Sequence, residues 1–242
     1  MIIKSYEILN NPTNFIKYNL FLLYGENNGL KNDVVEKLKN LLNKKHNKIE
    51  FTSIYENEII ENGENFYNSI YSGSLFSTHK MIVINNGSDK ILKNINDITK
   101  YSPETVTVTI FADVLDKKSK LRNLFEKNKN TICIPCYLDN EKDLNIIATS
   151  ELKKKNIVLS RESINLLIEK SNADRNNLRN ETEKIIAYSL NKKKIEIEEI
   201  KSLINFSGDY KSDILVNECL CGNISQYKKI ISELYVNNIN QV

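Results

Sequence analysis

The feature that most limits what this chain can fold into is a run with no polar gap, residues 20–24 (LFLLY) with Asn19 before it. Gly25 follows at once, then a stretch carrying Val34, Leu38, Leu41 and Leu42. A short, unbroken apolar run is what a strand covered on both faces requires, and apolar residues three and four apart mark one face of a helix. A strand over 19–24 therefore feeds a helix through a glycine. Residues 49–55, 81–84 (MIVI), 106–111 (VTVTIF) and 131–134 also have strand character, and the segments between them are long enough for crossover helices. Strands alternating with helices predict an α/β fold with a parallel sheet covered on both faces.

Beyond Pro135 the pattern changes to helix alone. A helix is expected over 140–155. Ser160 can cap a helix bearing Ile164, Leu167 and Ile168, and Asp174 another bearing Leu178, Thr182, Ile185 and Ile186. A third carries Ile197, Ile200, Leu203 and Ile204. Pro135 and Asp139-Asn140 are turn-compatible and mark a boundary. Two more helical patterns, 212–220 and 225–236, flank a turn at Cys221-Gly222-Asn223. The predicted units are 1–138 (α/β), 139–208 (helical) and 209–242, a pair of helices that cannot bury much surface unaided.

With 242 residues and 40% hydrophobic content the chain can bury a substantial core. A net charge of +3 lacks the excess of a protein that coats nucleic acid, so any such contact is expected to be local. No apolar run approaches the roughly 18 residues that cross a bilayer, and no secretory signal is evident, so a cytoplasmic protein without membrane contact is expected. Four cysteines are too few for a disulfide scaffold and read as reduced thiols. Cys133 and Cys136 have a spacing used in redox and zinc chemistry, but Cys133 lies in an apolar run and Cys136 follows a proline. Zinc would need two further ligands, and Cys219 and Cys221 belong to another unit, so no metal is expected. His46 and His79 read as isolated surface residues.

The glycine after the first strand sits where a phosphate-binding loop, Gly-x-x-x-x-Gly-Lys-Ser/Thr, would sit. Here the segment reads Gly25-Glu-Asn-Asn-Gly29-Leu30-Lys31-Asn32. Aligning Gly25 and Lys31 with the motif puts Leu30 in place of the second glycine and Asn32 in place of the hydroxyl that ligates magnesium, while Glu26 brings negative charge to the phosphates. The strand MIVI runs into Asn85-Asn86-Gly87 with no carboxylate before Asp89, so the acid that would hold magnesium is missing too. Gly25, Gly29, Lys31 and Asn32 are therefore expected to form a degenerate loop that binds no nucleotide cofactor. A plain strand-to-helix turn in an unrelated α/β domain accounts for these residues equally well, and an atypical nucleotide-binding loop is the remaining alternative.

Read together, FLLYGENNGL, SGSLFSTHKMIVINN, VTVTIFADVLDKKSKLRNLFEKNK, IPCY and LRNETEKIIAYSL, in this order, resemble the delta subunit of the bacterial DNA polymerase III clamp loader, a member of the AAA+ superfamily. The resemblance implies a Rossmann-type AAA+-like domain, a helical lid and the start of a helical collar that is shorter here than in that family. It implies no catalytic site of the chain's own, within a DNA-directed DNA polymerase holoenzyme (a nucleotidyltransferase) acting in DNA replication. The implied partners are the sliding clamp (beta subunit), the gamma/tau and delta prime subunits, and primed DNA. Leu75 and Phe76 match the family's clamp-binding wedge; without the resemblance they would read as core ahead of the MIVI strand.

Residues 116–129 hold six basic side chains against two acidic ones, a local excess greater than that of the whole chain. Lys117, Lys118, Lys120 and Arg122 in this run form either a solvated face or a contact with DNA or a neighbouring subunit. Residues 192–194 read as a basic loop between helices. By resemblance, Asn176, beside Arg175, stands where nucleotide-hydrolysing relatives carry an arginine that senses the γ-phosphate. Arg179 with Glu183, and Glu181 with Lys184, have helix-pair spacings.

Overall fold

In the computed structural model, residues 1–73, 77–101, 103–190, 192, 195–205 and 212–236 are described. Helix α1 (Ser5–Asn10) and a single 3-10 turn lead into β1 (Leu20–Tyr24) and α2 (Asn28–His46). Then come β2 (Ile49–Tyr55), α3 (Glu56–Glu61), α4 (Gly63–Tyr71), β3 (His79–Asn85), α5 (Leu92–Tyr101), β4 (Val106–Ala112), α6 (Lys120–Lys127) and β5 (Thr131–Pro135). The five strands form one parallel sheet in the order β2-β3-β4-β1-β5.

The expected α/β architecture is present, and the unbroken run in β1 has a direct physical cause. Successive strand side chains point to opposite faces. Leu20, Leu22 and Tyr24 join Ile82, Ile84, Val108, Phe66, Ile95 and Phe125 on one side of the sheet. Phe21 and Leu23 join Met81, Val83, Ile134, Val34, Leu38 and Leu42 on the other. Every residue of β1 is buried because each face carries its own helices. At the sheet's edge, β2 buries only Ile49 and shows the half-exposed pattern of a strand with one free side.

The strand order also locates the place where a ligand would be expected. The crossover from β1 lands at the far edge on β2, the chain steps back through β3 and β4 to reach β1, and β5 adds on its other side. Direction thus reverses at β1, and the crevice outside the carboxyl ends of strands at such a reversal is the usual binding position in open parallel sheets.

Four helices follow: α7 (Glu141–Lys154), α8 (Arg161–Lys170), α9 (Arg175–Ser189) and α10 (Ile197–Asn205). They share a separate apolar cluster, with Leu144, Leu152, Leu167, Leu178, Ile185 and Ile200 at its centre. Side chains of Asn140, Ser160 and Asp174 accept from the backbone N–H groups of Asp143, Ser163 and Asn177 at 3.0, 3.1 and 2.9 Å, closing the first turns of α7, α8 and α9. The Ser160 and Asp174 caps are the ones the sequence predicts. Helices α11 (Ser212–Leu220) and α12 (Ile224–Val236) pack on each other. No helix among the described residues is long and apolar enough to cross a membrane.

The histidines depart from expectation. Strand β3 starts at His79, two residues earlier than the apolar run indicates, and as the first residue of an interior strand His79 is buried, 4% exposed. Its ring stacks on that of His46, centroids 4.5 Å apart, and its Nε2 lies 2.9 Å from the Thr107 hydroxyl. Burial, followed by the nearby His46 and Lys45, pushes the His79 imidazole down to about 4. Its folded pKa lies below the unfolded value, so the unfolded chain binds the extra proton. The stability tied to neutral His79 is complete above pH 6.5 and is lost as pH falls towards 4. Urea unfolding of the native protein is expected to lose roughly 3 kcal/mol over that window from this group alone. A His79→Gln variant should show a correspondingly shallower pH dependence, and an unchanged slope would exclude His79 as its source.

Candidate functional site

The crevice at the end of β1 is built from Gly25 upward. Gly25 has φ +129°, and a Cβ there would overlap the Cys136 carbonyl, so the chain can pass only as glycine. Its N–H is directed at the carbonyls of Ala112 (3.3 Å) and Asp113 (3.2 Å), while the Cys136 N–H donates to Tyr24 O at 2.7 Å and the Asn27 N–H to Cys136 O at 3.1 Å. The ends of β1, β4 and β5 are thereby laced together across the place where a phosphate loop would open.

Asn27 then starts the helix early. Its Oδ1 accepts from Leu30 N at 2.9 Å, capping α2. Its Nδ2 donates to Tyr137 O at 3.0 Å and to Asp139 Oδ2 at 2.8 Å. Helix α2 begins at Asn28, so the residues ahead of Lys31 are wound into helix instead of a loop. The Lys31 side chain is buried and its Nζ donates to Asn28 Oδ1 at 3.0 Å. Burial pushes its pKa down against the opposing pull of Cys136 and Asp113. Asn32 is exposed on the helix surface.

Over this first turn sits the start of α9. A Cβ on Gly29 would meet Asn176 Oδ1 at 2.9 Å and Arg175 Cβ at 3.0 Å, so the small residue lets the two helices touch. Arg175, 7% exposed, donates from Nε to Asp139 Oδ2 at 2.9 Å, from Nη2 to Asp139 Oδ1, and from Nη1 to Asp33 Oδ2 at 2.6 Å. One turn on, Arg179 donates from Nη1 and Nη2 to the two Asp33 oxygens at 2.6 and 2.9 Å, and its Nε lies 3.8 Å from Glu151. Two forked guanidinium–carboxylate pairs therefore join α2, the β5–α7 connection and α9 beside the crevice. Arg179 turns to Asp33 and Glu151, not to Glu183 as helix spacing predicts; the Glu181–Lys184 pair forms at 2.7 Å.

The carboxylate that sequence places nearest the end of β3, Asp89, works elsewhere. It accepts from Ser119 Oγ, Leu121 N and Lys120 N at 2.7, 2.9 and 3.0 Å, completing the N-terminus of α6. Partial burial would raise its pKa, but these hydrogen bonds hold it below the usual carboxylate value. Asn85, at the end of β3, is held by Ser53 Oγ at 2.7 Å.

Of the basic run, Lys117, Lys118 and Lys120 are exposed. Arg122 turns inward: it donates to Glu126 at 2.6 Å and Leu115 O at 2.9 Å and lies 4.8 Å above the Tyr24 ring. Leu75 and Phe76 lie outside the described residues, as do two of the three lysines at 192–194. Cys133 and Cys136 are buried free thiols, each pushed up to about 12 chiefly by burial. No group of His, Cys, Asp or Glu among the described residues is arranged to hold a metal.

Asp33 and Asp139 are the residues that sequence reading misses. Asp33 lies 142 positions from Arg175, and no local spacing rule spans that distance.

The sheet order, the crevice at β1 and the helical unit seated over it define an AAA+-like α/β fold. Among solved structures, the DNA clamp loader delta protein of Bacillus subtilis (YqeN) matches with a TM-score of 0.58 at 13% identity, covering 98% of this chain and 73% of that one. The RuvB protein of Thermotoga maritima matches at 0.56 and 10% identity (88% and 72% covered), and domain III of the replication initiation protein DnaA from the same organism at 0.50 and 16% (82% and 87% covered). No family model matches the chain, and no curated protein sequence does. At these identities the likeness establishes the fold.

Gly25→Ala combines an unfavourable φ with a direct overlap on the Cys136 carbonyl. It is expected to lower unfolding free energy by roughly 3 kcal/mol or more, measured by urea denaturation. A loss below about 0.5 kcal/mol would show that the junction yields easily.

Proposed function

We propose that this chain is a clamp-loader subunit of the delta type: it binds the sliding clamp and helps open it for loading onto primed DNA in replication, while gamma/tau-type subunits hydrolyse ATP. The observation that carries this reading is the state of the crevice at β1. Helix α2 starts at Asn28, three residues ahead of Lys31, Gly25 N–H and Asn27 N–H are engaged by protein carbonyls, and Arg175 is paired with Asp139 beside them. Anion binding at a helix start needs free, convergent N–H groups. An AAA+-like fold whose nucleotide crevice is filled by its own side chains fits a subunit that works through binding. Residues 1–138 act as the AAA+-like domain, 139–208 as the lid and 209–242 as the beginning of a collar. Lys117, Lys118 and Lys120 are the lysines offered to DNA or to a neighbouring subunit. The alternative of a nucleotide-binding module with an atypical loop would require these hydrogen bonds to be given up.

Leu75 and Phe76 are the proposed wedge. The segment bearing them leaves α4, whose last carbonyls are held from the start of β3: Lys80 Nζ donates to Ser72 O at 2.8 Å and to Ser69 O at 3.3 Å. Its described flanks are thus tied to the sheet. Each side chain, buried in a partner's pocket, contributes roughly 1.5–3 kcal/mol. A ligand that binds the open ring better than the closed one shifts the ring towards opening without chemistry of its own.

Calorimetric titration with the sliding clamp of the same organism tests the reading. Binding is expected for the native chain and lost in Leu75→Ala/Phe76→Ala, with the melting temperature nearly unchanged. A large drop in melting temperature would show instead that the pair is core. ATP is expected to give neither hydrolysis nor a thermal shift, even after Leu30→Gly and Asn32→Thr restore the motif. ATP turnover by the purified native chain would overturn the proposal.

A further inference from the structure

We infer that Asp33, Asp139, Arg175 and Arg179 form a built-in latch, made of the chain's own side chains, that holds the α7–α10 unit on the sheet domain. The sheet domain's cluster on the α2 side and the cluster of α7–α10 are separate, and no buried apolar residue belongs to both. α9 meets the sheet domain through α2. At that meeting the contacts are those of the small residue Gly29 with Arg175 and Asn176, and of the two arginines with the two aspartates. Among the described residues each unit thus has its own apolar cluster, and the contacts of α9 with α2 are led by charge.

The network is built for that role. Arg175 and Arg179 are one helical turn apart and face the same way. Asp33 accepts from both, so displacing α9 breaks every pair together. Asp139 is 4% exposed at its side chain, and its Oδ2, which accepts from Arg175 Nε, also accepts from Nδ2 of Asn27, whose Oδ1 caps α2. Moving the helical unit would strip partners from buried charges, a strongly unfavourable step. Arg179 is 30% exposed and Asp33 19%, so the outer pair is open to salt while the inner Arg175–Asp139 pair is not.

The test is hydrogen exchange and small-angle scattering on the full chain. Asp33→Asn/Asp139→Asn is expected to raise amide exchange at the start of α2 and of α9 roughly tenfold or more, with an increased radius of gyration and unchanged protection in β1, β3 and β4. Because that variant strands two guanidinium groups, a second one adds Arg175→Met and Arg179→Met, removing the charges together. It should open the seam in the same way while keeping the native urea midpoint. Unchanged exchange at the seam in both variants would overturn the latch. So would uniform loss of protection across the sheet in the second variant, which would make the network a requirement for folding instead.

Discussion

The carboxylate of Asp139 is the point on which the arrangement depends. It is almost fully buried, and a buried carboxylate is tolerated only when paired and hydrogen-bonded. It takes a guanidinium fork from α9 and an amide N–H from Asn27. Those partners link it to the start of α2, to the connection after β5 and to the first residue of the helix that lies over both. Were α9 elsewhere, the carboxylate would lose the guanidinium that compensates its charge. A single ionised group thus couples the end of the sheet, the start of a helix and the seating of the second unit.

The same residues decide what the crevice can do. Every buried backbone N–H must have a partner, and in a phosphate-binding loop those partners are oxygens of the ligand. Here Gly25 and Asn27 donate to carbonyls at the ends of β4 and β5, and Leu30 donates to the Asn27 side chain. The glycine at the first motif position is retained for a different reason: a carbonyl of the protein, not a phosphate, approaches its Cα. Lys31 likewise keeps its place in the sequence while its ammonium is directed at Asn28 within its own helix.

What could be read from sequence follows from the range of the interaction. The run in β1 announces a strand covered on both faces because each residue's burial is a local property of the alternating backbone. The caps at Ser160 and Asp174 announce helix starts because cap and N–H lie three residues apart. Strand β2 spans the residues its pattern indicates, and β3 starts two residues before its apolar run because His79 and Lys80 are polar yet interior. His79 could not be placed by pattern: its burial depends on His46 and Thr107, brought together only by the sheet. Arg179 follows the same logic, since a carboxylate one turn away on its own helix competes poorly with a buried-side fork from Asp33. That residues 25–32 depart from the phosphate-loop pattern is legible, because it is a matter of residue identity. The pairing of Arg175 with Asp33 and Asp139 is not, because it is a matter of contacts across the whole chain.

A ligand-filled crevice and a side-chain-filled crevice differ in how they respond to their surroundings. A ligand that holds two units together does so in proportion to its concentration, and its departure releases them. Charges fixed to the chain have no concentration to change, so the joint they make is permanent unless a competing charge or a mechanical load displaces it. Two units joined in this second way keep a constant geometry. Constant geometry is what a surface presented to a large partner needs, because binding then costs less ordering of the binder. At the end of β1 that constancy rests on Asp33, Asp139, Arg175 and Arg179, whose charges belong to the chain itself.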